Sequence, residues 1–431
     1  ASYILLTQTN FSFFFEVIFM RIIGDSPIWT RKNEETVPYP RLTHDLKTDV
    51  VIVGGGITGA LTAHYLMKQN ISCALIEKNT IAMNATSAEP ALLQYEIDND
   101  LTGLSSLIGE TQAQQAFLFG YQAVMEISQI VKEINSACDF SFKPCFYYTE
   151  NPTKLDYMEK ECKSRQAIGI HCELFTPENN KEDFSFNFEA GIFSHYGGAI
   201  MDPVKFTRDL IDYNVKKGLQ VFEQTTVVDY NLSSREVILT TENDFTITAN
   251  KVAICTGYDA LTWFKKEDPF YTLSRTFSIV SKPVSALNGW REECLIRNDE
   301  KPYTYLRPTM DNCIIIGGED LEIKNEKDEI ATMGDRDPEA LQQYHQLLRR
   351  VRRMFPQIEN IKTDSWCHGI FIDTKDGLPF IGKHPDYPGA YFNLGFGSNG
   401  ILYSLIGAKL ISQDYTGKNP KEFELFKFNR Y

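Results

Sequence analysis

The chain has 431 residues, 43% of them apolar and 23% charged, the balance of a globular protein able to bury a sizeable core. That length exceeds one ordinary core and predicts two domains, or one domain with a large insertion. A net charge of −14 argues against a nucleic-acid partner, which would need a basic face.

Near the start, Phe11 to Phe19 is apolar apart from Ser12 and Glu16. The run is too short for a membrane span and no Lys or Arg precedes it, so neither a transmembrane helix nor a signal peptide is expected. Residues 1–19 read as upstream sequence or a dispensable extension, because Met20 begins a stretch that resembles an ordinary protein start. The nine cysteines (73, 138, 145, 162, 172, 255, 294, 313 and 367) are scattered and contain no C-x-x-C pair. This pattern suits reduced thiols in the cytoplasm and offers neither a disulfide framework nor a zinc site. Cys367 and His368 are neighbours that point apart on a strand, and no structural metal is predicted.

Asp49-Val-Val-Ile-Val-Gly-Gly-Gly-Ile-Thr-Gly59 reads as a strand, a glycine turn and the start of a helix over 57–69, followed by a second strand ending at Glu77. A dinucleotide-binding βαβ unit requires that order. Gly54 permits the tight turn, Gly56 lets the backbone approach a pyrophosphate, and Gly59 lets the helix lie close on its strand. Such a turn also joins strands to helices for packing alone. Here the apolar run before it, the Ile57, Leu61, Ala63, Leu66 pattern after it, and Glu77 placed for a ribose diol all favour a ligand. Glu77 taken alone also reads as a solvated strand end.

Helical periodicity continues over 111–134 and 153–168, and Asp202-Pro203 caps a helix that runs to about Lys217 and stops at Gly218. The period then changes to two. Gln220–Glu223, Thr225–Tyr230, Val237–Thr241 and Phe245–Thr248 form a meander leading into Val252-Ala-Ile-Cys-Thr-Gly257. Residues 270–330 are strand-rich, with Cys313–Gly318 as the clearest buried strand. Arg349, Arg350, Arg352 and Arg353 lie on a helix opened by Asp337-Pro338 and read as a solvated face in preference to a docking patch. Near the C-terminus, Asp376-Gly-Leu-Pro-Phe-Ile-Gly382 precedes Tyr391-Phe-Asn-Leu-Gly-Phe-Gly-Ser-Asn-Gly-Ile401 and a helix to about Ser412. A helix N-terminus behind a glycine loop is a second place suited to negative charge; a plain strand–turn–helix connection is the other reading.

The glycine fingerprint with Glu77, the Ala253–Gly257 strand after a meander, and the Asp376–Pro379 and Gly395–Ile401 blocks, in that order, resemble the D-amino acid oxidase-like family of FAD-dependent oxidoreductases over about residues 45–418. That family includes glycine oxidase, sarcosine oxidase and γ-glutamylputrescine oxidase. Gly198–Pro203 resembles the segment before its crossover helix, and Trp29 to Leu46 is most similar to the γ-glutamylputrescine oxidase branch. The resemblance implies an α/β Rossmann-like FAD-binding domain, discontinuous over 45–105, 198–262 and 365–418, with an α+β mixed-sheet substrate domain over 106–197 and 263–364. Residues 1–44 and 419–431 would be an N-terminal extension and a C-terminal tail.

For the cofactor, the resemblance implies contacts from Gly54, Gly56, Ile57, Thr58, Gly59, Glu77, Lys78, Thr86, Ser87, Val227, Thr256, Gly257, Gly397, Asn399, Gly400 and Ile401. FAD would be held without a covalent bond. In sarcosine oxidase-like members the attaching Cys stands five residues before a Thr that corresponds to Thr374; this chain has Gly369 there, and Cys367 is two residues away. The implied reaction is oxidation of a C–N bond of an amino acid or secondary amine by hydride transfer to flavin N5, with oxygen or a quinone as electron acceptor. No side-chain base is needed if the amine binds neutral.

On the substrate side, Lys301–Thr309 resembles the strand that brings an aromatic residue and an Arg to the pocket. Arg307 is the candidate carboxylate fork, with a surface salt bridge as the alternative. Tyr303 and Tyr305 share one strand face and read as packing in preference to substrate contact, with Tyr305 kept as a candidate, and His368 is a further pocket candidate near Trp366. Two other functions stay open: oxidation of a hydroxy acid or glycerol phosphate, and a non-catalytic flavin-binding or partner-docking subunit.

Overall fold

The computed structural model describes residues 23–24, 27–33, 37–180, 183–264, 271–324, 329–330, 333–334 and 337–430. The expectation for residues 1–19 lies outside them.

The apolar run before the glycine turn forms strand Leu46–Val53, in which Val50, Val51 and Ile52 are fully buried. It runs parallel to Cys73–Ile76 on one side and to Thr246–Ile254 on the other. Gln220–Phe222 and Ala390–Leu394 add in parallel at the two flanks, and Phe380–Lys383 closes one edge antiparallel. With Val227–Leu232 and Val237–Thr241 this makes an eight-stranded sheet among the described residues. Parallel strands covered on both faces need no polar alternation, which explains the continuous apolar run. Helix Ile57–Lys68 packs between Gly400–Tyr415 and Pro203–Val215 and is buried on every side from Ile57 to Leu66.

The helix expected at Asp202 starts as the sequence indicates, with the Asp202 carboxylate accepting from Lys205 N–H and Gly218 at φ 105° ending the turn. The meander differs in one respect. Phe245–Thr248 and the strand at Val252 are a single strand, Thr246–Ile254, because it is held antiparallel by Val237–Thr241 and along its length by Leu46–Val53.

A ten-stranded mixed sheet forms the other half among the described residues. Its order runs Ile23–Gly24, Thr363–Thr374, Tyr271–Ser281, Ile314–Ile323, Thr304–Pro308, Leu295–Asn298, Ser141–Thr149, Ala190–Ile200, Leu92–Gln94, with Cys172–Phe175 also on Ala190–Ile200. Helix Pro338–Met354 covers one face through Tyr344, Leu347 and Val351, which meet Phe277, Ile279 and Ile316. The expected division of the chain cuts across this sheet. Leu92–Gln94, the end of Ala190–Ile200 and most of Thr363–Thr374 fall in ranges assigned to the FAD-binding part, yet their ladder partners belong to the larger sheet.

The arginines of helix Pro338–Met354 are largely tied to their own chain. Arg350 pairs with Glu300 and Glu319, Arg352 donates to the Ile361 carbonyl, and Arg353 lies 3.8 Å from Glu150. Among the described residues no helix is long and apolar enough to cross a membrane, and no group of three or more His, Cys, Asp or Glu side chains is placed to hold a metal ion.

Candidate active site

The three glycines of the fingerprint meet different constraints. A Cβ on Gly54, at φ 113°, would stand 2.4 Å from the Cys255 carbonyl oxygen, and one on Gly59 would stand 1.9 Å from the carbonyl oxygen of Gly54. Both glycines are therefore required by packing. A Cβ on Gly56 would meet only the Thr86 hydroxyl, at 3.0 Å. Packing leaves Gly56 nearly free, so the open space before it is what a phosphate group would use.

The surrounding donors and acceptors fit such a group. Ile57 N–H at the helix start donates to Thr86 Oγ1 at 3.0 Å, and Ser87 donates to the Asn84 carbonyl. Glu77 is buried, and its two oxygens accept from Gly55 N–H (2.7 Å) and Asn79 N–H (2.8 Å). Burial raises its pKa while these two amides pull it back. The solvated strand-end reading of Glu77 is thereby removed. Oε1 also takes a long 3.5 Å contact from Asn84 Nδ2, and Oε2 keeps a lone pair for a ribose hydroxyl. Lys78 pairs with Asp259, Thr225 N–H donates to the Glu77 carbonyl two residues before Val227, and Thr256 Oγ1 is buried without a partner beside Gly257. Thr58 is turned elsewhere, its hydroxyl 2.7 Å from that of Ser404. FAD fits this set: Glu77 would hold the ribose, and the amides around Gly56 and Ile57 with Thr86 the pyrophosphate.

Beyond the turn lies a cavity with about 1020 Å³ of empty space, part of it open to solvent. One wall is Ala85–Glu96 together with Gly397, Ser398 and Asn399. That loop is clamped from behind, since Asn399 Nδ2 donates to the Glu96 carbonyl and both the Ser398 amide and hydroxyl donate to Asp98. Gly400 and Ile401 follow at the N-terminus of helix Gly400–Tyr415. The opposite wall comes from the larger sheet: Thr276–Ser278, Arg297, Tyr303, Tyr305 and Cys367–Phe371.

Tyr303, Tyr305 and His368 all line this cavity. His368 Nδ1 lies 2.7 Å from the Tyr344 hydroxyl and Nε2 lies 3.2 Å from Arg275. Burial, reinforced by the Arg275 charge, lowers its pKa to about 3, so the imidazole is neutral. Gly369 and Cys367 both line the cavity; the Cys367 sulfur is 3.0 Å from the Ser278 hydroxyl, and burial raises its thiol pKa.

The expectation for Arg307 is corrected. Its side chain is 2% exposed, does not line the cavity, and donates to the carbonyls of Ala91, Met201 and Pro308 with its guanidinium 5.1 Å from the Trp29 ring. Neither a substrate carboxylate nor a surface acid reaches it. The register pairs Tyr305 with Gly317 and Arg307 with Ile315, so the two share one face of the strand; Arg307 lies one step further along it, beneath the Ala91 and Met201 carbonyls and the Trp29 ring instead of in the cavity.

Arg297 and Glu89 are among the cavity residues that escaped the sequence reading. Arg297 lies 4.6 Å from the Tyr303 ring, donates to the Ile97 carbonyl and lies 3.4 Å from Asp98. The available signal was a charged residue inside the apolar strand Leu295–Asn298. Glu89 follows Thr86-Ser87 by two residues and lines the cavity. The N-terminal segment also contributes: Ile23 and Gly24 pair with His368 and Cys367, and Trp29 Nε1 donates to the Glu89 carbonyl at 2.7 Å.

Comparison with known proteins gives a consistent result. The family model described as "DAO: FAD dependent oxidoreductase" matches residues 49–413. Glycine oxidase of Bacillus subtilis is 23% identical over 88% of this chain and 96% of its own length. Gamma-glutamylputrescine oxidoreductase of Escherichia coli is 21% identical over 93% of this chain and 91% of its own. The crystal structure of glycine oxidase from Geobacillus kaustophilus superposes with a TM-score of 0.74 at 20% identity, covering 90% of this chain and all of that one.

Proposed function

The chain belongs to the family of FAD-dependent oxidoreductases, and from that premise we propose that it oxidises a carbon–nitrogen bond of an amino acid or secondary amine. The observation that carries this reading is the cavity to which both halves contribute: the glycine-turn half supplies Ala85–Glu96 and Gly397–Asn399, and the larger sheet supplies Tyr303, Tyr305 and His368. The glycine oxidase and γ-glutamylputrescine oxidoreductase relatives support the amine class. FAD supplies the two-electron acceptor; the residues assigned to it are those of the glycine turn, Glu77, Lys78, Thr86, Ser87, Val227, Thr256, Gly257 and the loop from Gly397 to Ile401, with 45–105, 198–262 and 365–418 as its domain and no covalent bond.

The protein's own groups bind and orient the amine and exclude water. The neutral His368, engaged by Tyr344 and Arg275, is a hydrogen-bonding wall, and no side chain is assigned as base. Nine buried thiols support a cytoplasmic setting for this reading. Anaerobic addition of amino acids and polyamines to the yellow holoenzyme tests it. Bleaching of the flavin is expected with at least one amine, and re-oxidation by oxygen or by a soluble quinone then identifies the acceptor. Bleaching only by 2-hydroxy acids or glycerol phosphate would move the substrate to a C–O bond, and no bleaching by any of them would leave a non-catalytic flavin protein.

A further inference from the structure

Glu89, Glu96, Arg297 and His368 are the Glu, Arg and His side chains in the cavity lining, and the last three are already engaged. Glu96 forms a 2.6 Å ion pair with Arg165 behind the wall. Arg297 is matched by Asp98 and by the Ile97 carbonyl. His368 is neutral. Glu89 differs: among the described residues no ion pair reaches it, and the nearby Arg307 directs its donors to backbone carbonyls. Glu89 Oε2 lies 3.7 Å from where a Cβ on Gly400 would stand, at the N-terminus of helix Gly400–Tyr415, whose field favours a negative charge there. Across the cavity stand Tyr303 and Tyr305, their ring centroids 6.1 Å apart. A carboxylate facing aromatic rings in a partly desolvated space is chemistry suited to an alkylammonium ion.

We propose, resting on the amine-oxidising reading, that Glu89 holds a second, non-reacting ammonium group of the substrate, which makes diamines the preferred class over amino acids anchored by a carboxylate. The reacting nitrogen is not the partner. A carboxylate bound to it would stabilise its protonated form and withhold the lone pair that assists departure of the hydride. Arg307 lies outside the cavity, and Arg297 gives its terminal nitrogens to Asp98 and to the Ile97 and Asp98 carbonyls, leaving only its buried Nε without a partner, whereas no ion pair engages Glu89 among the described residues.

The test uses the oxidised holoenzyme under anaerobic conditions and reads binding as a perturbation of the visible flavin spectrum. Three probes of equal chain length are titrated: 1,4-diaminobutane, 1-aminobutane and 4-aminobutanoate. The diamine is expected to bind on the order of 10-fold or more tightly than the monoamine, and 4-aminobutanoate, which puts a carboxylate where the second ammonium would lie, is expected to bind weakest. In Glu89→Gln the preference for diamine over monoamine should disappear at unchanged flavin content. Equal binding of diamine and monoamine, or 4-aminobutanoate binding as well as the diamine, would overturn the proposal in the wild-type protein alone, even if the Gln variant failed to take up flavin. A wild type that bleaches with amino acids yet shows no diamine preference retains the amine-oxidising reading and loses the Glu89 assignment. A wild type that binds the diamine tightly but is bleached by no amine does the reverse.

Discussion

The glycine turn at Gly54–Gly59 and the cavity wall at Leu295–Pro308 both rest on buried strands, but they are built from different distances along the chain. In the turn, Gly55, Glu77, Asn79 and Thr86 satisfy one another within about thirty residues. In the wall, Arg307 donates to carbonyls 216 and 106 residues away, and Arg297 to one 200 residues away. A local constellation leaves its signature in spacing. A remote one leaves only a residue type whose partner cannot be read from its neighbours.

The largest expected effect tests the packing side of the turn. Gly54→Val places a β-branched residue at φ 113° with its Cβ on the Cys255 carbonyl, so the two central strands cannot keep their separation. A loss of more than ~4 kcal/mol is expected, seen as insoluble protein or loss of the cooperative thermal transition. Gly56→Val should instead give folded protein without flavin, because its Cβ meets only the Thr86 hydroxyl while the branched side chain fills the space before the helix. Circular dichroism matching the wild type together with absent visible absorbance is the expected pair of readings. A yellow Gly56→Val protein would place the pyrophosphate elsewhere.

That contrast explains how far the sequence could be read. The βαβ unit, the Asp202 cap and the meander were legible because period, caps and glycines act within a few residues. Gly54, Gly56 and Gly59 looked equivalent in sequence, and only the neighbours at Cys255 and Thr86 separate a packing glycine from a ligand glycine. The pairing of Tyr303 and Tyr305 on one face followed from strand alternation, and by the same alternation Arg307 shares that face, yet it lies beyond the cavity. What spacing could not supply was where along that face the cavity ends and the Ala91 and Met201 carbonyls begin. Trp29, carried by an N-terminal segment that precedes the family match, lies against Arg307, and nothing local announces it.

Arg307 sharpens the comparison at intermediate size. Arg307→Lys should destabilise the protein by ~1.5–3 kcal/mol, since a single ammonium cannot reach the carbonyls that the fork now serves, and burial already lowers the pKa of the arginine itself to about 9. The expected signature is a lower Tm with flavin content and ligand affinity at wild-type values. A raised KM at unchanged Tm would return Arg307 to the cavity. The flavin link is a separate check on the same wall. Acid precipitation should leave the flavin in the supernatant, because the Cys367 thiol is hydrogen-bonded to Ser278 and its pKa is raised by burial. Flavin in the pellet would identify a thiol attachment.

The smallest effect concerns Glu89, where binding and stability are set against each other. Burial raises its pKa from an ordinary 4.5 to about 7, with the Ala91 amide and Arg307 offsetting part of the cost. Below about pH 4.5 the group is protonated in both folded and unfolded chains and imposes nothing. Between 4.5 and 7 the folded state binds more proton than the unfolded state, so stability falls as pH rises, and above about 7 the full cost of a buried charge is present. Gln carries no such charge. The Tm of Glu89→Gln minus that of the wild type should therefore be near zero at pH 4.5 and increasingly positive toward pH 8, while Asp320 and Asp373, whose pKa values burial also raises, are common to both proteins and cancel in the difference. Adding 1,4-diaminobutane at pH 8 should raise the wild-type Tm and close part of the gap, because a ligand that binds only the folded state stabilises it by mass action. A difference that stays constant with pH would mean that Glu89 is not ionised against its surroundings, and a diamine that stabilises both proteins equally would mean that the cation rests on the tyrosines alone.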